Sequence, residues 1–293
     1  MSPAVTIGLP FFNCERTLLR ALRSVFAQTF GDWELILVDD GSTDRSAGLA
    51  AAVRDRRVRL VADGVNRGLV ARLNQITALA RSAYVCRMDG DDLAHPERVA
   101  TQLAWVREHR GVDVVGTAAV AIDADDRPSR LRAIRESILR DPREVLRRGG
   151  LIHPSTMARV EWLRRYPYDP EFLRAEDHEL WVRSFAGSTL HHLPQPLYFY
   201  RESGPVSLWN YRRSCATERR ILRRYGPALI GRAATGSSIA RSYLKETCYC
   251  AFAAAGQTAR LVALRGTPLT AAQRAEAEQA ISAVLRTRVP GID

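Results

Sequence analysis

The chain is expected to fold as an α/β protein, and three features of its 293 residues carry that expectation. Short apolar runs alternate with amphipathic segments over the first 120 residues, each acidic cluster follows an apolar run directly, and the last ninety residues turn helical. The runs Val5–Leu9, Trp33–Val38, Val58–Val61, Tyr84–Met88 and Val112–Val120 read as strands. Helical periodicity fills the gaps at Glu15–Ala27, Arg45–Arg54, Gly68–Ala80 and Pro96–Glu108, with Pro96 in a first turn where a missing N–H costs nothing. Such alternation specifies βαβ units, a mostly parallel central sheet flanked by helices, and ligands at the carboxyl ends of the strands.

Residues 123–200 are less regular. Turn signals at Asp125-Asp126-Arg127-Pro128, Gly149-Gly150 and Tyr166-Pro167-Tyr168-Asp169-Pro170 surround short strands and two helices, starting near Asp141 and Glu176. This stretch reads as an acceptor-side extension of the same domain. After Gly204-Pro205, helices are expected at Trp209–Tyr225, Ser237–Ala255 and Thr270–Arg288. The chain therefore reads as one α/β unit over residues 1–207, in halves of about 1–120 and 121–207, followed by a basic helical extension over 208–293.

Composition narrows the class. Hydrophobic residues make up 46% and charged residues 26%, which excludes disorder. No run approaches the roughly 18 apolar residues of a membrane span, and the N-terminus enters a strand without a signal-like segment, so a cytoplasmic location is expected. The five cysteines, with no CxxC pair, read as reduced and incidental. Net charge is +11, and the stretch from Arg201 onward holds fifteen Lys and Arg against six Asp and Glu. That asymmetry suits an anionic partner. Arg212, Arg213, Arg219, Arg220, Arg223 and Arg224 cluster on one helix, whose basic face would meet an anionic membrane or a lipid-diphosphate acceptor; an ordinary solvated helix is the plainer alternative. Nucleic acid is disfavoured, because the tail lacks zinc-finger, helix-turn-helix and aromatic RNA-binding signatures.

Two acidic clusters carry the chemistry. Val38-Asp39-Asp40-Gly41-Ser42-Thr43-Asp44 follows a strand and enters a helix, so its Asp pair falls where a carboxylate can bond a nucleobase or ribose. Turn and cap preferences explain the same residues without a ligand. Met88-Asp89-Gly90-Asp91-Asp92 also follows a strand. Three carboxylates in four residues repel unless a cation lies among them, and Mg²⁺ or Mn²⁺ prefers such oxygens while bridging to phosphates. The first strand runs into Leu9-Pro10-Phe11-Phe12-Asn13, without GxGxxG, and no GxxxxGK[ST] occurs, which disfavours dinucleotide-binding and P-loop enzymes.

In order and spacing, several segments resemble the family 2 glycosyltransferases, inverting enzymes of GT-A fold. They are Thr6–Glu15, Ser24–Phe30, Glu34–Asp44, Asn66-Arg67-Gly68-Leu69, Asp89-Gly90-Asp91, His153-Pro154-Ser155 and Ala175-Glu176-Asp177. The resemblance spans residues 4–207. It implies a nucleotide-sugar donor, most simply a UDP-sugar, and a hydroxyl acceptor in polysaccharide, lipid-linked glycan or other glycoconjugate synthesis. It places Asp40 on the nucleobase, Asp91 on the metal, and Asp89 near the ribose or metal. Pro10, Asn13, Glu15 and Arg67 belong to the matching donor segments, and Asp177 becomes the general base with Glu176 orienting groups around it. His153 and Trp181 are acceptor-side candidates, a structural histidine and a core tryptophan being the alternatives. Arg201 of Tyr200-Arg201 would approach the diphosphate. Many relatives place His two residues after that Arg; here Ser203 leaves the third metal ligand open. No QxxRW motif or membrane helix appears, which suggests a single added sugar. The competing readings are a metal-dependent nucleotidyl- or phosphoryl-transfer enzyme, and a catalytically silent nucleotide-sugar-binding protein.

Overall fold

Strand β1 (Val5–Phe11) is buried along its whole length, because parallel neighbours flank it on both sides. The computed structural model describes residues 2–133, 138–202, 207–257 and 266–293; Ser203 and Gly204-Pro205 lie outside the described residues. The first half is the anticipated alternation: β1, α1 (Leu18–Phe26), β2 (Trp33–Asp39), α2 (Ser46–Ala52), β3 (Val58–Ala62), α3 (Leu69–Leu79) and β4 (Tyr84–Arg87). These strands form a parallel block in the order β3-β2-β1-β4.

Side-chain alternation along β2 builds a core on each face. Trp33, Leu35 and Leu37 join α1 and α4 (Arg98–Glu108), while Ile36 and Val38 join α3 and the helices of the second half. Gly8 lets α3 approach, since a Cβ there would overlap Ile76 Cγ2. Pro96 lies just before α4 rather than in its first turn. A turn closed by the Arg98 N–H on the His95 carbonyl intervenes.

The second half is antiparallel over much of its extent. Strand β6 (Val114–Ile122) pairs antiparallel with β7 (Pro128–Arg132) and β8 (Met157–Arg159), and β8 closes antiparallel on β4. Strand β9 (Leu190–Arg201) runs parallel to β6 and pairs with the short β5 (Leu93–Ala94). Pro194 and Pro196 fall inside β9, where the register with β6 shifts; a bulge accommodates residues that cannot donate to the ladder. Helix α5 (Pro142–Arg148) opens with Asp141 accepting from the Arg143 N–H and ends on left-handed Gly149. Helices α6 (Val160–Arg165) and α7 (Glu176–Ser184) complete this half.

The tail begins with two long helices, α8 (Leu208–Ile230) and α9 (Arg232–Ala254). Helix α8 runs past the expected stop at Tyr225 and through Pro227. Gly226 is buried at the crossing, where a Cβ would meet Thr235 Oγ1 at 2.8 Å. The remainder returns to the first half. Strand β10 (Thr267–Pro268) pairs with β7, α10 (Ala271–Arg286) covers Val120, Ile122 and Phe199, and Val289 is buried in the β1 core. Asp293 binds Arg23 at 2.6 Å. The arginines of α8 are largely spent on neighbouring acids: Arg212 and Arg219 on Glu246, and Arg220 and Arg224 on Glu171. Four of the six arginines that the sequence clusters on this helix thus pair with acids. No helix of the described residues is long and apolar enough to cross a membrane.

Candidate active site

The carboxyl ends of β1, β2 and β4 open onto a cavity of about 440 Å³ lined by residues 10–17, Asp44, Asp89, Gly90 and Asp91. Its wall is a turn network that the first motif encodes. Asn13, in a left-handed conformation (φ 49°), accepts from the Thr43 N–H at 2.8 Å and donates its own N–H to Ser42 Oγ. Glu15 receives the backbone and side chain of Arg45, which holds its carboxyl below the ordinary range. Pro10, Asn13 and Glu15 line this cavity.

Asp40 is buried, and its carboxylate is already occupied by protein donors. It accepts from the N–H groups of Arg67 and Gly68, at 2.8 and 3.0 Å, and from Arg72 Nε at 2.9 Å. Arg72 is fully enclosed and also binds Asp63 and Gln75. The structure thus shows Asp40 organising the 63–68 loop. Arg67 contributes its backbone to Asp40, while its exposed side chain pairs with Asp63.

The second cluster crowns β4. Carboxylate oxygens of Asp89, Asp91 and Asp92 lie within 4.8 Å of one another. Burial and the neighbouring Asp89 push the Asp91 carboxyl up, and burial followed by Asp89 and Asp91 pushes Asp92 well up. Gly90 is required between them, since a Cβ would meet Phe11 Cβ at 2.9 Å and Cys14 Sγ at 3.1 Å. Hard oxygen donors that repel one another, beside a polar cleft, fit a divalent cation. Asp89 and Asp91, which border the cavity, are placed to hold one. Asp92 turns inward and accepts from the Arg201 N–H at 2.7 Å.

Arg201 is placed differently from the sequence expectation. Its side chain lies beneath the turn, bonded to the Asp91 and Asp123 carbonyls and to Asp126, so its observed part is to hold the acidic turn rather than to line the cleft. Trp181 is likewise buried at 1% exposure, stacked on Trp162 and edge-on to His153. It offers no face to a sugar. Packing beneath left-handed Gly150, where a Cβ would meet the indole at 3.0 Å, is the reason.

A larger cavity of about 720 Å³ lies in the second half of the α/β unit expected from the sequence, lined among others by His153, Asp177, His178, Tyr200, Tyr211 and Lys245. Helix α7 begins there after Ala175, a non-glycine residue at φ 54°. Left-handed alanine costs on the order of 1–3 kcal/mol and marks a geometry that the surroundings impose. Asp177 is half-buried and, among the described residues, accepts its neighbour's N–H at 2.8 Å. Glu176 sits deeper; burial and then Asp177 raise its carboxyl to about 7. His153 Nε2 meets the Tyr168 hydroxyl at 2.7 Å, and its Nδ1 stands 3.7 Å from Glu176. Burial, with Arg87 nearby, holds this imidazole well below its ordinary value, so it is neutral. Asp89 lies close enough to add to the rise at Glu176; the acidic turn and the start of α7 therefore face a common region. Arg87, which sequence reasoning passed over, binds Asp89 at 2.6 Å. The signal was a charged residue ending an apolar strand beside an acidic turn.

Residues 6–167, just over half of the chain, match the family described as Glycosyl transferase family 2. The chain belongs to that family. EpsE of Bacillus subtilis (strain 168), described as a putative glycosyltransferase, is 34% identical over 207 residues, covering 68% of this chain and 73% of that protein. Among solved structures, S. aureus TarS 1–349 in complex with UDP-GlcNAc superposes with a TM-score of 0.61 at 18% identity, covering 82% of this chain and 71% of that one. A mannosyltransferase from Pyrobaculum calidifontis in complex with GDP-Man and Mn²⁺ gives 0.58 at 18% identity, covering 97% and 86%. These likenesses establish the GT-A fold, and the family membership establishes a glycosyltransferase.

Proposed function

We propose that this glycosyltransferase moves one sugar from a nucleoside-diphosphate donor, a UDP-sugar in the simplest case, to an acceptor hydroxyl with inversion at the anomeric carbon. The observation that carries the reading is the opposition of two acidic groups, Asp89 and Asp91 at the donor cleft and Glu176 and Asp177 at the acceptor cavity. In the relatives named above, UDP-GlcNAc and GDP-Man with Mn²⁺ occupy proteins of the same fold.

The donor would lie along residues 10–17, with Asp40 and the Arg67-Gly68 backbone bordering the base. Asp89 and Asp91 would hold Mg²⁺ or Mn²⁺, which when bound offsets the charge that grows on the leaving diphosphate. Asp177, the carboxylate of the pair that lines the larger cavity, takes the acceptor proton as the new C–O bond forms. Glu176 and neutral His153 fix the surroundings of that base. A single carboxylate opposite the leaving group gives one displacement and hence inversion. A cytoplasmic enzyme adding one sugar to a polysaccharide or lipid-linked acceptor, brought to an anionic membrane surface by the tail, completes the proposal. Arg213 and Trp209 at the start of α8 remain exposed for such a contact.

Thermal melts against a panel of nucleotide-sugars with Mn²⁺ identify the donor, and acceptor-stimulated release of nucleoside diphosphate tests the reaction. Pyrophosphate release would instead favour nucleotidyl transfer. Donor binding without any turnover would favour a silent binding protein.

A further inference from the structure

Helices α5, α8 and α9 border a recess of about 440 Å³ that shares no lining residue with the donor cleft. It adjoins the cavity that holds Asp177, because Arg147, Glu218 and Lys245 line both. Buried Leu146 and Leu222 line it too, so its charged groups border a hollow rather than a flat helix face. The acids of this recess are engaged within the protein. Asp141 accepts the Arg143 N–H as the cap of α5, and Glu144 pairs with Arg147. Glu218 accepts from the Ser242 hydroxyl at 3.3 Å, with Lys245 Nζ at 3.9 Å. Two cations are left over. The guanidinium groups of Arg143 on α5 and Arg241 on α9 make no hydrogen bond or ion pair with the described residues. Ser237, one turn before Arg241, adds an exposed hydroxyl.

A guanidinium presents a planar fork of donors that matches a phosphate or a carboxylate, and two unspent forks on different helices favour such a group over a simple halide. In the reaction proposed above the donor diphosphate lies at the other cleft, so an oxyanion here must come with the second substrate. We propose that this recess is an oxyanion subsite of the acceptor cavity: Arg143 and Arg241 take a phosphate or carboxylate that the acceptor carries beyond the unit whose hydroxyl reacts. The acceptor is then an extended, anionic glycan rather than a single neutral sugar. Its assignment to the acceptor rests on the reading of Asp177 as the base; the binding of an oxyanion between the two arginines does not. A lipid headgroup shares the same chemistry, but a hollow between three helices suits a chain that enters it better than a membrane plane that lies across it.

The full chain, labelled with ¹⁵N-arginine and ¹⁵N-histidine and kept free of divalent metal, is titrated by NMR with inorganic phosphate, glucuronate and tetragalacturonate, against sodium chloride at matched ionic strength. Arg143→Gln and Arg241→Gln assign the two Nε–H resonances. Phosphate or glucuronate should shift both to saturation where chloride does not, the tighter of the two naming the oxyanion. Each substitution should weaken the response at the other arginine several-fold. Tetragalacturonate should bind several-fold tighter than glucuronate and also move the ring of His178, which lines the Asp177 cavity. The double variant should keep wild-type affinity for UDP with Mn²⁺, since the donor cleft is separate. Shifts no greater than with chloride, or an Arg241 response unchanged by Arg143→Gln, overturn the proposal. So does a tetragalacturonate that binds no tighter than glucuronate and leaves His178 unmoved. Loss of binding to phosphatidylglycerol vesicles in the double variant, without any response to the soluble anions, assigns the arginines to a membrane and overturns it too. Saturable phosphate binding in a protein that transfers no sugar would count against the enzymatic reading alone, and transfer without such binding against the subsite alone.

Discussion

Replacing Gly90 by alanine isolates the geometry of the acidic turn without touching a charge. The added Cβ would stand 2.9 Å from Phe11 Cβ and 3.1 Å from Cys14 Sγ. Ordinary carbon contacts lie at about 3.5–4.0 Å, so the turn must retreat by roughly half an ångström to one ångström. Phe11 Cβ is fixed to β1 and cannot swing aside, which leaves the turn to move and carry Asp89 and Asp91 with it. Overpacking of this kind costs about 1–3 kcal/mol in stability. A misplacement approaching one ångström costs up to about a hundredfold in rate. Gly48 is the control: it lies inside α2, a Cβ there would meet nothing within 4 Å, and alanine should be neutral or stabilising by up to about 1 kcal/mol. Chemical denaturation and Mn²⁺-dependent donor titrations of Gly90→Ala and Gly48→Ala provide the comparison. The reasoning fails if Gly90→Ala melts like wild type and binds donor with unchanged affinity.

Further expectations follow from the same contacts. Arg72→Met strips Asp40 and Asp63 of their shared cation, and should destabilise by about 3–5 kcal/mol while loosening the 63–68 loop, measurable as loss of amide protection there. The Glu176 carboxyl, raised from 4.5 to about 7 by burial and Asp177, makes the folded state hold a proton that the unfolded chain releases, so stability falls as pH rises between those values. At about 1.4 kcal/mol per unit the loss comes to about 3.5 kcal/mol, and Glu176→Gln should abolish it in denaturation series from about pH 4.5 to 8. Mn²⁺ should raise the melting temperature of the wild type by relieving repulsion among Asp89, Asp91 and Asp92, and Asp91→Ala should lose most of that rise.

The parallel half was legible because β1 and β2 are buried along their whole length and α1, α3 and α4 carry apolar stripes. Both acidic clusters were legible because strand ends in such a sheet gather at one edge. What stayed hidden depended on partners distant in sequence. Arg72 and Arg98 look like solvated positions of amphipathic helices, yet both are enclosed, Arg98 binding the Arg87 and Thr156 carbonyls. Strand β9 was obscured by Pro194 and Pro196, which only the bulge opposite β6 makes tolerable. Arg201 lies below the turn rather than in the cleft, because Asp126, 75 residues away in sequence, supplies its counter-charge. The arginines of α8 suggested an open basic face, whereas Glu171 and Glu246 stand beside them in the fold.

The most direct test of the account compares Asp177→Asn with Asp91→Ala by calorimetric titration of donor in Mn²⁺, alongside the rate of sugar transfer. Asp177→Asn should bind donor as wild type does while transfer drops by about two to four orders of magnitude, and Asp91→Ala should lose Mn²⁺-dependent binding. Wild-type turnover in Asp177→Asn, or intact Mn²⁺-dependent binding in Asp91→Ala, would contradict it.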